Sequence, residues 1–334
     1  MENKIVITGA GGFIGSHLVD FLLTKYSRSS LRLLVSEKDT LKNLPKNKLN
    51  IFRGDIRNKH FVKKAIEGAS TIYHLASLVG FEGSTYRDYK EVNVDGTQNF
   101  LDACKTKKIQ KFVFVSSIAV YGLPAWVGDI FNLNEKSPYN PTEIYGKSKM
   151  EAEIRVLTAH KNFRIPYTII RPVSVYGPRD RGQLFALYKS LKNHTFIFIG
   201  NGENKMHYIY VKDLIEGMYQ AQINKVEASD FILGDNKPII FNDVVKYVAK
   251  SINEPIPKLR ISKKIGLILG YTGAGIEKVT GIHSPIFPSR VKVMTTNWYY
   301  DISKARKLLK FKPKISFEDG TTLTGKWLLT HKIL

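Results

Sequence analysis

Tyr145 and Lys149 are the residues of this sequence best suited to move a proton together. They stand four positions apart in Tyr145-Gly146-Lys147-Ser148-Lys149, a segment predicted to open a helix, so they share one helix face. A tyrosine loses its proton near pH 10, and a neighbouring ammonium favours the phenolate and lowers that pKa. Tyr145 is therefore a candidate general acid or base near neutral pH. Alone, this spacing is also typical of a solvated helix face.

Two hydroxyl side chains, Ser116 and Ser117, directly follow the apolar run Phe112–Val115, which is predicted to be a buried strand. Ligands of an open parallel sheet bind beyond the carboxyl ends of the strands. The two hydroxyls are thus predicted to lie at a ligand site. Two serines after a strand are also typical of a turn or a helix cap.

A glycine-rich turn near the start of the chain predicts where a phosphate binds. The apolar run Ile5–Thr8 leads into Gly9, Gly12 and Gly15, and an amphipathic helix is predicted to follow. Such glycines allow a tight turn and close approach to a pyrophosphate, which the helix N-terminus then attracts. The alternative is a tight turn in an ordinary α/β protein. No Gly-Lys-Ser/Thr ends the turn, so it does not resemble an ATPase phosphate loop.

Short apolar runs predict the elements that position these groups. They are continuous rather than alternating, as expected for parallel strands covered on both faces. Helical segments between them indicate right-handed crossovers and an α/β, doubly wound Rossmann sheet. The predicted strands are Ile5–Thr8, Leu31–Val35, Leu49–Phe52, Thr71–Leu75, Phe112–Val115 and Thr168–Ile170.

Two regions are predicted from a change in composition at Pro172. Residues 1–171 form the dinucleotide-binding domain, and 172–334 form a smaller, mostly substrate-binding α/β region richer in proline, glycine and aromatic residues. A helix near 211–222 is predicted to pack back on the sheet. The apolar segment 263–271 has basic flanks, and it could touch a membrane surface, cover a hydrophobic pocket or belong to the core.

Composition restricts the function classes. The 334 residues are 43% hydrophobic and include one cysteine, Cys104, so no internal disulfide forms and a cytoplasmic location is expected. The first residues lack a signal-peptide pattern, and no run reaches the roughly 20 apolar residues of a spanning helix. The net charge is +22, but the lysines are scattered singly, so nucleic-acid binding is not expected. No metal site is expected either.

Together, these motifs resemble the extended short-chain dehydrogenase/reductases, the NAD-dependent epimerase/dehydratase family. The order of the glycine turn, Ser117, Tyr145 and Lys149 carries the resemblance. Further segments match the family along nearly the whole chain. They are Gly54-Asp55-Ile56, Tyr73–Ser77, Val92–Thr97, Arg171–Arg179, Tyr210–Asp213 and Tyr300–Ala305.

The resemblance implies hydride transfer at a secondary alcohol carbon. Ser117 would hydrogen-bond the substrate hydroxyl, Tyr145 would take its proton, and Lys149 would hold the nicotinamide ribose and lower the tyrosine pKa. A cationic nicotinamide would act on that pKa in the same direction. The implied cofactor-binding residues are Gly9, Gly12, Phe13, Ile14, Gly15, Ser36, Asp55, Ile56, Leu75, Ala76, Ser77, Asn93, Tyr145, Lys149 and Pro172.

The choice between NAD and NADP turns on the end of the second strand. Ser36 stands where NAD-preferring members carry an acidic residue for the ribose hydroxyls, and NADP-preferring members carry arginine. Glu37 could serve the ribose, while Lys38 and Lys42 could serve a phosphate. NAD is the expected cofactor, and NADP is not excluded.

The substrate residues depart from the family pattern. Ile118 and Ala119 replace the acid pair of the 4,6-dehydratases and cannot transfer a proton, which disfavours dehydration. Ser174 stands where nucleotide-sugar epimerases carry asparagine. Their arginine near Met206 is also missing, which leaves Lys205 as a point charge without a bidentate fork. Arg290 is a further candidate for a phosphate. The expected substrate residues are Ser117, Ser174, Lys205 and Arg290.

Three functions remain open from the sequence. The first is an NAD(P)-dependent epimerase or dehydrogenase acting on a small molecule, with a nucleotide sugar as the expected substrate. The second is a hydroxysteroid- or dihydroflavonol-type dehydrogenase/reductase, which segment 265–271 and Pro288-Ser289-Arg290-Val291 also resemble. The third is a non-catalytic dinucleotide-binding protein, since a fold does not fix a function. The family resemblance also implies a homodimer.

Overall fold

The computed structural model describes residues 4–46, 49–80, 84–122, 129–224, 226, 228–280 and 288–334, without the side chains of 274, 276–280, 289 and 290. The strands are β1 Lys4–Thr8, β2 Leu31–Val35, β3 Ile51–Arg53, β4 Ala69–His74, β5 Lys111–Val115, β6 Ile130–Leu133, β7 Tyr167–Pro172, β8 Ser174–Tyr176, β9 Phe198–Ile199, β10 Lys205–Met206, β11 Tyr208–Tyr210, β12 Ser229–Leu233, β13 Ile239–Ile240, β14 Arg260–Ile261 and β15 Trp298–Tyr300.

The helices are α1 Phe13–Leu22, α2 Lys59–Ala65, α3 Tyr86–Tyr89, α4 Gly96–Cys104, α5 Ile144–Phe163, α6 Gln183–Lys192, α7 Val211–Ile223, α8 Phe241–Ser251, α9 Lys263–Thr280, α10 Pro288–Met294, α11 Ser303–Leu309 and α12 Phe317–Thr330. A π-helical turn, Lys90–Asp95, joins α3 to α4. A 3₁₀ turn, Ile118–Tyr121, follows β5.

Seven parallel strands form the central sheet in the order β12-β7-β5-β4-β1-β2-β3. From β1 the chain adds β2 and β3 on one side, and it then crosses to the other side with β4. The carboxyl ends of β1 and β4 are therefore neighbours where the order reverses, and Thr8 is paired with His74 there. A ligand crevice opens at such a point in a doubly wound sheet. The predicted fold class is confirmed.

The six predicted strands are all present, with ends displaced by at most two residues. The seventh, β12, is missed by the sequence analysis because Ser229 and Asp230 shorten its apolar run to Phe231–Leu233. It lies beyond residue 171 and pairs with β7. The sheet thus takes an edge strand from the C-terminal region, and the division of the chain at residue 171 stays a prediction.

Both faces of the sheet are covered, which explains its continuous apolar strands. Ile5 and Ile7 of β1 belong to one buried cluster, together with Ile215 of α7. Val6 points to the opposite face and joins a second cluster with Phe100 of α4. Alternate residues of one strand thus anchor helices on both sides.

Helix α7 packs against the sheet and α1. The phenol of Tyr73, in β4, donates to Gln222 Oε1 at 2.6 Å. The rings of Phe21 and Tyr219 meet edge to face, with centroids 5.3 Å apart. A helix from the C-terminal region therefore completes the packing of the first one.

The rest of the C-terminal region is assembled from small pieces. The strand pairs β8–β11, β9–β14 and β10–β13 each form a two-stranded sheet, as do β6 and β15. Helix α9 lies in this region, and Ile265, Ile268, Leu269 and Tyr271 are exposed on it. The prediction that this segment belongs to the core is therefore wrong for these four side chains. Among the described residues, no helix is both long and apolar enough to cross a bilayer.

Candidate active site

The glycine turn between β1 and α1 can accept a phosphate group. Gly9 has φ +66°, and a Cβ there would lie 3.0 Å from the backbone nitrogen of Ala76. A Cβ on Gly15 would collide with the Gly9 carbonyl oxygen. Gly12 caps α1 without a side-chain bond, and the first helical turn, which begins with Phe13 and Ile14, carries no acidic residue. The turn therefore fits a dinucleotide pyrophosphate, which binds to free N–H groups.

Thr8 holds the end of β4 beside this turn, a role that sequence reasoning missed. Its Oγ1 accepts hydrogen bonds from the backbone nitrogens of Leu75 and Ala76, at 3.0 and 2.9 Å. The same oxygen lies 3.0 Å from His74 Nδ1. A hydroxyl as the last residue before the first glycine is the signal that could have revealed it. Leu75 and Ala76, both predicted cofactor residues, are thereby placed against Gly9.

His74 extends this arrangement into the helical layer and was also missed. Its Nε2 lies 3.0 Å from Thr97 Oγ1, and that hydroxyl donates to the Asn93 carbonyl at 2.6 Å. Burial lowers the pKa of His74 to about 3, and the nearby Lys149 ammonium acts in the same direction. His74 is therefore a neutral structural bridge between β4 and α4.

Asn93, a predicted cofactor residue, ties three segments together. Its Oδ1 accepts from the Leu78 backbone nitrogen at 2.7 Å and from the Ser77 hydroxyl at 3.1 Å. Its Nδ2 donates to Ser148 Oγ, on α5, at 2.9 Å. Asn93 lies in the π-helical turn, and π-turns are frequent at functional sites. Asn93 thus fixes α5 relative to the end of β4.

The structure brings Ser117 and Tyr145 together beyond the end of β5, with Lys149 one helical turn further along α5. Helix α5 approaches the 3₁₀ turn so closely that a Cβ on Gly146 would collide with the Ala119 carbonyl oxygen. Ser117 Oγ accepts from the Ala119 backbone nitrogen at 3.1 Å and is also hydrogen-bonded to the Tyr145 phenol. Lys149 is buried, with Nζ 4.7 Å from the Phe114 ring centroid.

The electrostatics of this trio correct one expectation. Burial raises the pKa of Tyr145 to about 12, while its hydrogen bond with Ser117 lowers it. Burial lowers the pKa of Lys149 to about 7, and the Glu153 carboxylate acts in the opposite direction. The net shift of the tyrosine pKa is therefore upward rather than downward, because burial removes hydration from the charged phenolate.

The end of β2 presents an acidic group that the sequence analysis did not consider. Ser36, Glu37, Lys38 and Lys42 are all exposed. The carboxylate of Asp39 instead lies directly over the glycine turn, where a Cβ on Gly11 would collide with it. Asp39 Oδ1 also accepts from the Leu41 backbone nitrogen at 2.7 Å, which fixes the side chain.

Asp55 and Ile56, two of the predicted cofactor-binding residues, follow β3. Asp55 Oδ2 pairs with Arg57 Nη2 at 2.6 Å, and this hydrogen bond lowers the aspartate pKa. A Cβ on Gly96 would lie 2.7 Å from Cδ1 of Ile56. Ile56 therefore packs against the start of α4, while the Asp55 side chain stays 40% exposed.

A buried ion pair joins the catalytic helix to the crossing at Pro172. Arg171 Nη2 pairs with Glu153 Oε2 at 2.6 Å, with side chains 3% and 0% exposed. Arg171 Nη1 reaches Asp230 at 2.8 Å and the Tyr121 hydroxyl at 2.7 Å. Glu153 lies one helical turn beyond Lys149, so this pair fixes α5 against β7 and β12.

Three of the four predicted substrate residues lie in the C-terminal region. Ser174, in β8, pairs with Tyr208 of β11. Lys205 is exposed in β10, and its backbone nitrogen donates to Asn297 Oδ1 at 2.9 Å. The side chain of Arg290, in α10, lies outside the described residues. The roles of these three residues stay predictions.

Comparison with known proteins identifies the family. Residues 5–234 match the model of the NAD dependent epimerase/dehydratase family. The chain belongs to this family. Its NAD cofactor and its activity as an epimerase or dehydrogenase of the extended short-chain type are thereby confirmed, and a non-catalytic role is not supported.

Relatives of the family span two kinds of reaction. The N-acetyl-alpha-D-glucosaminyl-diphospho-ditrans,octacis-undecaprenol 4-epimerase of Escherichia coli O157:H7 is 29% identical over 315 residues, which cover 91% of this chain and 89% of that protein. The decarboxylating sterol-4-alpha-carboxylate 3-dehydrogenase of Bos taurus is 28% identical, covering 96% and 91%. UDP-glucuronic acid 4-epimerase from Bacillus cereus, solved in complex with NAD, has a TM-score of 0.78 at 26% identity, covering 98% and 99%.

Within this family, the geometry assigns separate tasks to the two ends of the crevice. The glycine turn, which follows β1, offers backbone N–H groups to a pyrophosphate. Ser117 follows β5, on the other side of the point where the strand order reverses, and Tyr145 and Lys149 lie on α5. Bound NAD supplies a hydride acceptor for an alcohol carbon. Lys149 and Tyr145 are the candidate proton-handling groups at that end, and their roles stay predictions.

Proposed function

We propose that this protein is an NAD-dependent 4-epimerase that acts on a sugar linked to a diphosphate. The observation that carries the proposal is the hydrogen bond between Ser117 and Tyr145 beyond β5, on the family's sheet, with Lys149 one helical turn along α5. Two of the relatives, from E. coli and B. cereus, are 4-epimerases by name, and each is matched over most of its length. In both names the sugar is linked to a diphosphate.

Each of the three side chains has a specific task in this proposal. Ser117 hydrogen-bonds the reacting hydroxyl of the sugar and holds it against the phenol. Tyr145 takes the proton of that hydroxyl at Oη and returns it after the sugar has presented its other face. With its pKa at about 12, Tyr145 needs positive charge nearby to form the phenolate. Lys149, with its pKa at about 7, supplies that charge when protonated.

The diphosphate of the substrate calls for positive charge in the C-terminal region. Lys205 is exposed at the start of β10, beside the β8–β11 pair that contains Ser174. The chain as a whole carries a net charge of +22, which attracts an anionic substrate over long range. Arg290 and Lys205 are our candidates for the two phosphates.

Asp39 supports the selection of NAD over NADP. Its carboxylate lies over Gly11, in the turn that fits the dinucleotide. A carboxylate accepts hydrogen bonds from ribose hydroxyls and repels a 2′-phosphate. We infer that Asp39 selects NAD over NADP, whereas the sequence analysis considered Ser36 and Glu37 for this choice.

The test uses purified full-length protein. We expect nicotinamide to be retained through purification and released on acid denaturation. Incubation with UDP-N-acetylglucosamine, UDP-glucuronic acid or a polyprenyl-diphosphate N-acetylglucosamine should give the C4 epimer of one of them, without net reduction of added NAD. Stoichiometric reduction of NAD with an oxidised product would overturn the epimerase proposal.

A net dehydrogenase acting on a sterol-like alcohol is the second candidate. It is supported by the bovine relative and by the exposed apolar side chains of α9. The same three residues would serve it, but reduced cofactor would leave after each turnover. Sterol substrates with added NAD therefore form a parallel arm of the same experiment, and NADH release in that arm alone would favour this candidate.

We also infer a homodimer in the cytoplasm. The single cysteine, Cys104, is buried, which suits a reducing compartment. Ile154 and Leu157, three residues apart on α5, are 45% and 38% exposed and would pack against a second copy. Light scattering should give a dimer mass that falls to the monomer for I154K/L157K, and a monomeric wild-type protein would contradict the inference.

A further inference from the structure

The first half of helix α9 packs two glycines against the protein and leaves four large apolar side chains exposed. Gly266 and Gly270 are buried, and a Cβ on Gly266 would lie 2.7 Å from Ile199 Cγ2. Ile268 and Tyr271 are 63% and 61% exposed. A surface helix ordinarily does the reverse. The close fit of Gly266 against Ile199 therefore places Ile265 and Ile268 on the solvent side of the helix.

The exposed apolar residues form a set that we call the α9 face. Within the helix, the spacing of Ile265, Ile268 and Leu269 places them on one side. The preceding loop adds Leu259, which is 60% exposed. The α9 face comprises Ile256, Leu259, Ile265, Ile268, Leu269 and Tyr271. Several large exposed apolar side chains in one short segment are typical of a binding surface.

Exposed lysines lie among these apolar residues in the sequence. Lys258 precedes Leu259, and Lys263 and Lys264 begin α9 directly before Ile265. A helix with apolar residues on one side and lysines at its end is typical of binding to the bilayer interface. Tyr271 adds a ring with a polar tip, which suits the headgroup level.

We propose that the α9 face binds the surface of an anionic phospholipid bilayer. The apolar side chains enter the headgroup boundary, and Lys258, Lys263 and Lys264 contact the lipid phosphates. A second copy of this chain is the less favourable occupant, because it would bring two sets of these lysines together in a protein of net charge +22. An anionic bilayer satisfies both the apolar and the charged groups.

Membrane binding would place the C-terminal part of the site close to the lipid. Gly266 of α9 packs against α10, where a Cβ would lie 3.4 Å from Val291 Cγ1. Helix α10 also contains Arg290, the predicted phosphate ligand. A substrate with a lipid tail could therefore reach the site from the membrane. The membrane inference itself does not rest on the proposed function, because its test measures no turnover.

The test is flotation of the full-length protein with vesicles. One set is phosphatidylcholine alone, and the other contains roughly a quarter phosphatidylglycerol. We expect the wild-type protein to float with the anionic vesicles at low salt and to be released at high salt. I265S/I268S/L269S should reduce the partition coefficient at least tenfold. L308S/L323S, which changes exposed leucines on other helices, should match the wild-type protein.

A lysine variant tests the proposal independently, in case I265S/I268S/L269S does not fold. K258Q/K263Q/K264Q should weaken binding to anionic vesicles by roughly a hundredfold, at about 1 kcal/mol for each lysine. Retained nicotinamide and mass by light scattering are measured for every variant. Absent flotation of the wild-type protein, or equal flotation of the wild-type and both α9 variants, overturns the proposal. A lower oligomeric mass of the α9 variants with unchanged vesicle binding also overturns it, and assigns the face to a second copy.

Discussion

Helix α9 differs from the carboxyl ends of the central strands in which side chains it buries. Around the strand ends, polar groups are buried and joined, from Thr8 through His74 and Thr97 to Asn93 and Ser148. On α9, Ile265, Ile268, Leu269 and Tyr271 are exposed, while Gly266 and Gly270 are buried. Each region reverses the usual preference of its side chains for solvent or interior.

The difference between the two regions suggests that the strand ends hold groups in one geometry, while α9 offers a surface for binding. A buried, hydrogen-bonded network is costly to break, so it holds catalytic groups in one geometry. Exposed apolar side chains contribute little to folding, so they are available for an external partner. Substitutions in the first region should therefore change stability or chemistry, while those on α9 should change only binding.

The largest effect is expected at Tyr145. Y145F removes the proton acceptor but keeps the ring, so turnover should fall by up to about 10⁴-fold. Retained nicotinamide should be unchanged, because the glycine turn is intact. Steady-state kinetics and acid release of the cofactor measure both quantities. Y271F, on the exposed α9 tyrosine, is the matched control and should keep wild-type turnover, whereas similar rates for the two variants would remove Tyr145 from its role.

A large effect on stability is expected at Lys149. Its pKa is about 7 in the folded protein and 10.5 in a solvated chain, so between these values the unfolded state binds more protons. Wild-type stability should therefore rise with pH across that window. K149M abolishes the proton chemistry yet should raise the unfolding free energy by about 4 kcal/mol near pH 7, and by little near pH 10. Urea unfolding of both proteins at several pH values measures the difference, and a pH-independent difference would contradict the explanation.

The buried pair of Arg171 and Glu153 should show the next largest effect. R171M leaves the Glu153 carboxylate buried without its cation, which should cost about 3 kcal/mol of unfolding free energy. The double variant R171M/E153L removes both charges and should recover most of the loss. Urea unfolding compares the three proteins. A loss in the double variant as large as in R171M would show that packing, rather than charge, is responsible.

A smaller effect is expected at Asp39. D39N keeps the oxygen that accepts from the Leu41 nitrogen but removes the negative charge. The preference for NAD over NADP should fall about tenfold, or about 1.4 kcal/mol, because repulsion of the 2′-phosphate is lost. Titration calorimetry of protein stripped of nicotinamide measures both affinities. E37Q, a neighbouring exposed carboxylate, is the control, and an equal change in both variants would contradict a specific role for Asp39.

The smallest effect is expected from the exposed isoleucine of α9. I268Q should change the unfolding free energy by less than about 0.5 kcal/mol, because the side chain is 63% exposed. I72Q, at a fully buried position of β4, should cost several kcal/mol or prevent folding. Thermal and urea unfolding measure both. A large loss in I268Q would mean that this face contributes to the core after all.

Local patterns predicted most of the sheet and the candidate catalytic groups. Apolar runs gave six strands, because strands covered on both faces must be continuously apolar. The glycine spacing and Tyr145–Lys149 are likewise local, since each depends on residues within one turn or one helix. Ser117 was identified from its place after β5. The strand β12 was missed because its apolar run, Phe231–Leu233, is too short to stand out.

The sequence by itself determined the fold class, the position of the glycine turn and the choice of candidate proton-handling groups. Only the tertiary structure showed the roles of Thr8 and His74, since their bonds join residues 66 or more positions apart in the chain or cross between layers. It also reversed the expected pKa shift of Tyr145, because burial depends on every neighbour in space and not on the residue four positions away. The position of Asp39 over Gly11 and the exposure of the isoleucine side chains on α9 were also visible only in the tertiary structure, because both depend on packing.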